Sequence, residues 1–219
     1  MNHLNSNKKV DNFMIQFVKD AKNILQKYDN YIYHNLRKSK HIKDFYEDEW
    51  KGIGFSGINE TILRYLISLG LISKYAIWPE GQYFKGSRRR ADLAIYFNPR
   101  NYKEESPPDI IIEMKWGEIR RKLQRGSLSQ WTINRLEEDL RKIRNYSKSP
   151  HNYVLQVIFV NKSIPIGRSK FQRQINAEIS GHLTRHYNIK LLTIQRFNTH
   201  SDSIKKTDLI CCLLCWKVH

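Results

Sequence analysis

Two charged residues, Glu113 and Lys115, stand two positions apart inside the apolar stretch Asp109-Ile-Ile-Ile-Glu-Met-Lys-Trp116. A run of β-branched residues with two prolines upstream and a glycine downstream predicts a buried strand. Side chains alternate faces along a strand, so Ile111, Glu113 and Lys115 share one face, and Ile110, Ile112, Met114 and Trp116 the other. A carboxylate and an ammonium in such surroundings are costly unless they are paired or hold a metal ion. Taken alone, they read most simply as a structural ion pair at a strand end. The preceding apolar segment, Ala91-Asp-Leu-Ala-Ile-Tyr-Phe97, adds a third charge, Asp92. The connection from Asn98 to Pro108 is rich in Asn, Pro, Ser and charge, which predicts a hairpin-type link between antiparallel neighbours. Asp92, near the start of one strand, then faces Glu113, near the end of the next. Two carboxylates and a backbone carbonyl make a hard, oxygen-only site for Mg2+, with Mn2+ as a substitute, rather than for zinc. Lys115 beside it would orient a water or stabilise negative charge developing on a phosphate.

A helix acid, a strand acid, a strand acid-x-Lys and a further helix follow one another in this chain. That order resembles the PD-(D/E)XK nuclease superfamily. The literal Pro108-Asp109 does not serve: at about 3.3 Å per residue, Asp109 sits roughly 13 Å from Glu113 along one strand. Asp92 fills the place of the first strand acid. The helix acid is Glu60, in Ser56-Gly-Ile-Asn-Glu-Thr-Ile-Leu-Arg-Tyr-Leu-Ile-Ser-Leu-Gly70, a segment expected to open on a Ser56 cap and close at Gly70. On a helical wheel Ile58, Ile62, Tyr65, Leu66 and Leu69 form one face, and Glu60 lies at the edge of the apolar arc beside Leu63 and Ile67. A solvated flank residue and an acid aimed at the site are both open readings there. The helix from Thr132 to Tyr146 carries a stripe of Ile133, Leu136, Leu140 and Ile143. Its Asp139-Leu-Arg-Lys142 is similar to what many members carry, although Lys142 reads better as surface cover.

The resemblance spans residues 57 to 146. It implies that Asp92 and Glu113 hold the metal with the carbonyl of Met114, and that Lys115 positions a water or the oxyanion. Glu60 would orient a water or assist a second ion.

These elements need a domain to hold them, and 219 residues with 40% hydrophobic content suffice for one proper core. The charge is unusual: 38 basic against 21 acidic residues leave +17. Such an excess favours a polyanion partner. Arg88, Arg89 and Arg90 run into the strand of Asp92, while Arg120, Arg121 and Lys122, with Arg125, follow the strand of Lys115. Both clusters are expected to touch phosphates around the metal. No apolar run approaches the roughly 20 residues needed to span a bilayer, so a membrane partner is not expected. The N-terminus lacks the apolar core of a secretion signal. Cys211, Cys212 and Cys215 crowd into a terminal apolar strand, which suits buried thiols better than disulfides or zinc ligands. His182 and His186, four apart on an expected helix, read as ordinary surface or partly buried histidines. A reducing, cytoplasmic setting is expected.

Along the chain, Asp11 to Leu36 reads as helical, in one piece or two, and Lys38 to Trp50 as a linker or short helix. Strands are expected over Tyr75 to Phe84 (interrupted at Pro79-Glu-Gly81), Ala91 to Phe97, Asp109 to Trp116 and Tyr153 to Val160. A helix around Phe171 to His186 precedes two last strands, Ile189 to Phe197 and Leu209 to Val218, the second expected at a sheet edge. The fold class is α/β, a mixed central β-sheet flanked by helices, with a restriction-endonuclease-like core. Residues 1–50 are expected to form an N-terminal helical extension and residues 51–219 the nuclease-like domain. The expected function is a Mg2+-dependent endonuclease acting on DNA, of restriction, defence or mobile-element type, with a homodimer allowing both strands to be cut. An RNA-cleaving toxin on the same fold, or a non-catalytic nucleic-acid-binding module, are the alternatives.

Overall fold

Alternate residues of the two most deeply buried strands meet different layers, and this alternation organises the molecule. The computed structural model describes residues 2–38, 59–84, 88–98, 106–119, 130–161, 187–200 and 209–219. In strand β4 (His151–Asn161), Tyr153, Leu155, Val157 and Phe159 enter one apolar cluster while Val154 and Ile158 enter another. Strand β6 (Leu209–Val218) repeats the pattern, with Cys211, Leu213 and Cys215 on one side and Cys212, Leu214 and Trp216 on the other. A strand covered on both faces requires such a continuous apolar run. The one amide side chain among β4 residues 153–159, Gln156, accepts a hydrogen bond from Trp216 Nε1 at 2.8 Å.

Four further strands complete one mixed sheet: β1 (Ile77–Pro79), β2 (Leu93–Ile95), β3 (Ile110–Ile119) and β5 (Ile189–Asn198). Their order is β1-β2-β3-β4-β6-β5. Only β3 and β4 run parallel; every other neighbouring pair is antiparallel. Among the described residues three helices flank the sheet: α1 (Asn2–Lys38), α2 (Glu60–Leu71) and α3 (Gln130–Tyr146). The molecule is therefore α/β, with a mixed central sheet flanked by helices. Helix α3 lies between β3 and β4 in sequence, the crossover that a parallel pair needs. No helix of the described residues is long and apolar enough to cross a membrane.

One face of the sheet carries α1 and α2. Met14, Phe17, Val18, Ala21 and Leu25 of α1, with Leu63, Ile67 and Leu71 of α2, pack on Ile110, Ile112 and Met114 of β3. Helix α1 is one unbroken element, and its stripe belongs to the principal core. Helix α2 is capped by Asn59, whose Oδ1 accepts from the Ile62 amide at 3.0 Å; Ser56 lies outside the described residues. The helix also runs through Gly70 instead of ending there. A Cβ at Gly70 would sit 2.7 Å from Ile24 Cγ2, so this glycine allows α1 and α2 to approach closely. Gly70→Val is expected to destabilise the protein by about 1–3 kcal/mol, because a β-branched neighbour such as Ile24 has little rotamer freedom with which to yield. Chemical denaturation measures this, and an unchanged midpoint would mean the helices separate freely at that crossing.

The other face carries α3, whose Leu136, Leu140 and Ile143 pack on Val154, Ile158, Leu214 and Trp216. The expected stripe is present at these three positions. The Leu209 to Val218 strand is not an edge: β6 lies between β4 and β5, and Cys211 to Trp216 are all buried. At that end of the sheet the edge is β5, a half-exposed strand in which Lys190, Thr193, Gln195 and Arg196 are interspersed with apolar residues and tolerate solvent. The segments read as Lys38 to Trp50 and as the helix of His182 and His186 fall outside the described residues, apart from Lys38 itself at the end of α1.

Candidate active site

Strand β3 has ten residues and β2 only three, so their pairing ends at Leu93 opposite Ile112. Beyond that point, among the described residues, the β2-facing edge of β3 has no strand partner, and its buried amides need other acceptors. Two carboxylates supply them. Met114 N–H donates to Asp92 Oδ2 at 2.7 Å, and Trp116 N–H donates to Glu60 Oε2 at 3.4 Å. The edge left open by a short neighbour thus gathers the strand acid and the helix acid side by side. The N–H and C=O of a strand residue project to the same side. The Met114 carbonyl consequently faces the Asp92 side, as the carbonyl named by the resemblance must.

Glu60 reaches this edge because α2 turns inward the face opposite to the one expected. Leu63, Ile67, Ser68 and Leu71 are buried, whereas Ile62 and Leu69 remain 43% and 69% exposed. Both arcs of α2 are apolar enough to pack, so the wheel alone does not choose between them. The choice falls to the arc whose polar residues find partners. Arg64 Nη1 meets Asp92 Oδ1 at 2.7 Å, Arg64 Nη2 meets Glu80 Oε1 at 2.7 Å, and Ser68 Oγ donates to the Arg64 carbonyl.

Glu113 is 2% exposed and lies on the α3 face of β3 with Ile111. Tyr83 donates its hydroxyl to Glu113 Oε1. Burial, reinforced by the charge of Asp92, pushes the Glu113 carboxyl well above the usual carboxylate range, against the pull of the Tyr83 hydrogen bond. Burial likewise raises the Tyr83 hydroxyl, which stays protonated and able to donate. A carboxyl held this way is poorly compensated until a cation joins it.

Lys115 pairs with Asp139 and Glu60, not with Glu113. Its Nζ stands 3.2 Å from Asp139 Oδ2 and 3.6 Å from Glu60 Oε1. Asp139 is fully buried, and Lys142 Nζ lies 3.2 Å from its other oxygen. Burial pushes the Asp139 carboxyl up to about 6, with Lys115 and Lys142 pulling it back. Lys142 is thus the partner of a buried acid and not mere surface cover. Asp109, set aside on distance, accepts the Phe97 amide at 2.7 Å, at the opposite end of β3.

Three members of the cluster went unnoticed in the sequence, Arg64, Glu80 and Tyr83, and Asp139 was named only beside Lys142, with no role of its own. Asp139 did leave a signal, since it sits within the stripe of Leu136, Leu140 and Ile143. Arg64 follows Glu60 by one helical turn, which is informative only once the buried arc is known. Tyr83 has no local pattern, because its role comes from a turn that folds it over Glu113.

The donor chemistry fits a hard divalent ion. Five carboxyl groups (Glu60, Glu80, Asp92, Glu113, Asp139) stand around three cations (Arg64, Lys115, Lys142), and Glu113, raised well above the usual carboxylate range, is met by the neutral Tyr83 hydroxyl. Asp92 and Glu113 offer oxygen alone. Among the described residues no three His, Cys, Asp or Glu side chains converge as a ready ligand set. Asp92 is directed to Arg64 and Glu60 to Lys115, so main-chain oxygen and water would complete the coordination of an ion held by Asp92 and Glu113.

Arg88, Arg89 and Arg90 are exposed immediately before Asp92. The Arg89 guanidinium lies 4.1 Å from the centre of the Tyr146 ring, which packs 6.3 Å from Tyr83. This links the basic cluster to the Glu113 pocket. Arg120, Arg121, Lys122 and Arg125 lie outside the described residues. Cys211, Cys212 and Cys215 are free, buried thiols; burial raises all three, Cys212 to about 12, which makes them unreactive as thiolates. No family model, curated protein or solved structure matches this chain.

Proposed function

We propose that this chain is a metal-dependent endonuclease that hydrolyses phosphodiester bonds, with DNA as its substrate. One observation carries the reading: Glu60, Asp92, Glu113 and Lys115, nominated from sequence alone, gather around one open edge of β3. The order α2-β1-β2-β3-α3-β4 agrees with the restriction-endonuclease-like core that the resemblance implies. Asp92 and Glu113 would hold Mg2+ with the Met114 carbonyl. The bound ion supplies Lewis-acid polarisation of the phosphate and a lowered pKa for its water. The other steps belong to side chains. Lys115, fixed by Asp139 and Glu60, places a positive charge where negative charge develops on the phosphate. Glu60 orients a water beside it. Tyr83 holds the Glu113 carboxyl in its rotamer.

The test is incubation of purified protein with supercoiled DNA, linear DNA, single strands and tRNA, each with Mg2+, Mn2+ or EDTA. Cleavage of DNA only with metal is the expected result. Cleavage of tRNA alone would favour an RNA-cutting enzyme, and binding without any cleavage would leave a binding module.

Neutralising Arg88, Arg89 and Arg90 together is expected to weaken binding uniformly across sequences. It should reduce the slope of log affinity against log salt by about one unit for each phosphate no longer neutralised. Fluorescence anisotropy at several salt concentrations measures the slope, and an unchanged slope would assign this cluster to a merely solvated face.

A further inference from the structure

We propose that Arg64 is the resident counter-ion of the Asp92 carboxylate, and that it yields this carboxylate to the divalent cation when one binds. The inference rests on the metal-site reading above and adds a displaceable gate to it. Asp92 uses its two oxygens differently. Oδ2 accepts the Met114 amide, a neutral donor that orients the carboxylate without competing for its charge. Oδ1 is taken by Arg64 Nη1 at 2.7 Å. A guanidinium there and a divalent cation at the same carboxylate repel each other, so occupancy by one disfavours the other.

Arg64 also has somewhere to go. Its Nη2 already contacts Glu80 Oε1 at 2.7 Å, and Glu80 is 52% exposed at the outer end of the bridge, where Arg64 itself is 12% exposed. Glu80 adopts φ 54°, a left-handed conformation uncommon for a residue with a side chain. Its amide donates to the Asp92 carbonyl at 3.0 Å, which keeps this second acid beside the first. Among the described residues, the buried Nε of Arg64 has no hydrogen-bond partner. A purely structural arginine at full satisfaction would use that donor as well. Arg64 therefore spans two carboxylates of unequal burial, one inside the site and one at its rim. Withdrawal toward Glu80 frees Asp92 Oδ1 without stranding the guanidinium charge.

Arg64 on this account stabilises the ion-free protein and lowers its affinity for the ion. The experiment titrates Mn2+ into the parent, Arg64→Met and Arg64→Lys by calorimetry, with thermal melting at zero and saturating Mn2+. Arg64→Met should melt lower than the parent without metal, bind Mn2+ about tenfold more tightly, and recover most of the deficit when saturated. Arg64→Lys, which keeps the charge but not the fork, should fall between the two. Parental or weaker Mn2+ affinity in Arg64→Met overturns the proposal, because Arg64 would then support the ligand geometry instead of competing with the ion. Should Arg64→Met fail to fold, Glu80→Gln at the exposed end decides. Removing the rim acid leaves Arg64 to Asp92 alone and should weaken Mn2+ binding several-fold, whereas unchanged or tighter binding overturns the proposal. A parent that binds no Mn2+ at all is a different failure, that of the metal-site reading itself.

Discussion

Asp92→Ala and Glu113→Ala are each expected to abolish metal-dependent cleavage while leaving nucleic-acid binding intact or tighter. Removing either acid removes one of the two side chains proposed to hold the ion, and no third carboxylate among the described residues converges to replace it. Binding should persist because it depends on cationic contacts with phosphate, and each acid removed lessens repulsion of that phosphate. The two variants should differ in stability. Glu113→Ala relieves a carboxylate pushed far from its normal range by burial, and its cost is the unpaired Tyr83 hydroxyl, about 1–3 kcal/mol. Asp92→Ala leaves the Met114 amide without its acceptor and Arg64 with Glu80 alone. Asp92→Asn and Glu113→Gln preserve most of these hydrogen bonds and remove only the charge. They should fold like the parent and still fail to cut. Full activity in either alanine variant would remove the proposed site.

Lys115→Ala is expected to remain folded, bind Mn2+ and DNA, and lose about a hundredfold or more in rate, as for other groups that stabilise transition-state charge. The competing explanation is structural. Lys115 holds the fully buried Asp139, so its loss leaves that acid with Lys142 alone. In that case the melting temperature should fall by the equivalent of roughly 1–3 kcal/mol, and Mg2+ should restore little of it. Melting with and without Mg2+, beside a cleavage time course, separates the two. A folded, metal-binding variant that cuts at the parental rate would end the catalytic assignment.

Local chemistry already contained much of this molecule. A run such as Tyr153-Val-Leu-Gln-Val-Ile-Phe specifies a strand buried on both faces, because no polar alternation is left for a solvated face. The composition of the connection from Asn98 to Pro108 suits antiparallel neighbours, and β2 and β3 pair that way. The rise of about 3.3 Å per residue along a strand is by itself enough to exclude Asp109 as a partner of Glu113. Face alternation put Glu113 and Lys115 together, and helical spacing put Leu136, Leu140 and Ile143 in one stripe.

Partner choice was beyond the sequence's reach. Two apolar arcs on α2 compete, and the buried one is decided by whether Glu60 and Arg64 can reach the open edge of β3. Glu113 and Lys115 are neighbours in sequence and share a face, yet Glu113 takes Tyr83 and Lys115 takes Asp139. An extended strand holds two successive residues of one face too far apart to be the best partners available once a helix and a turn close over them. The edge position of Leu209 to Val218 failed for a related reason: its composition specifies burial, but only sheet order says which strands do the burying. Residue types and periodicities, which act over a few ångströms along the chain, thus determined the elements, their faces and the acids worth watching. The ion pairs and hydrogen bonds that make those acids a site join residues from 22 to 56 positions apart, as Met114 to Asp92 and Trp116 to Glu60 illustrate, and only the folded chain brings them together.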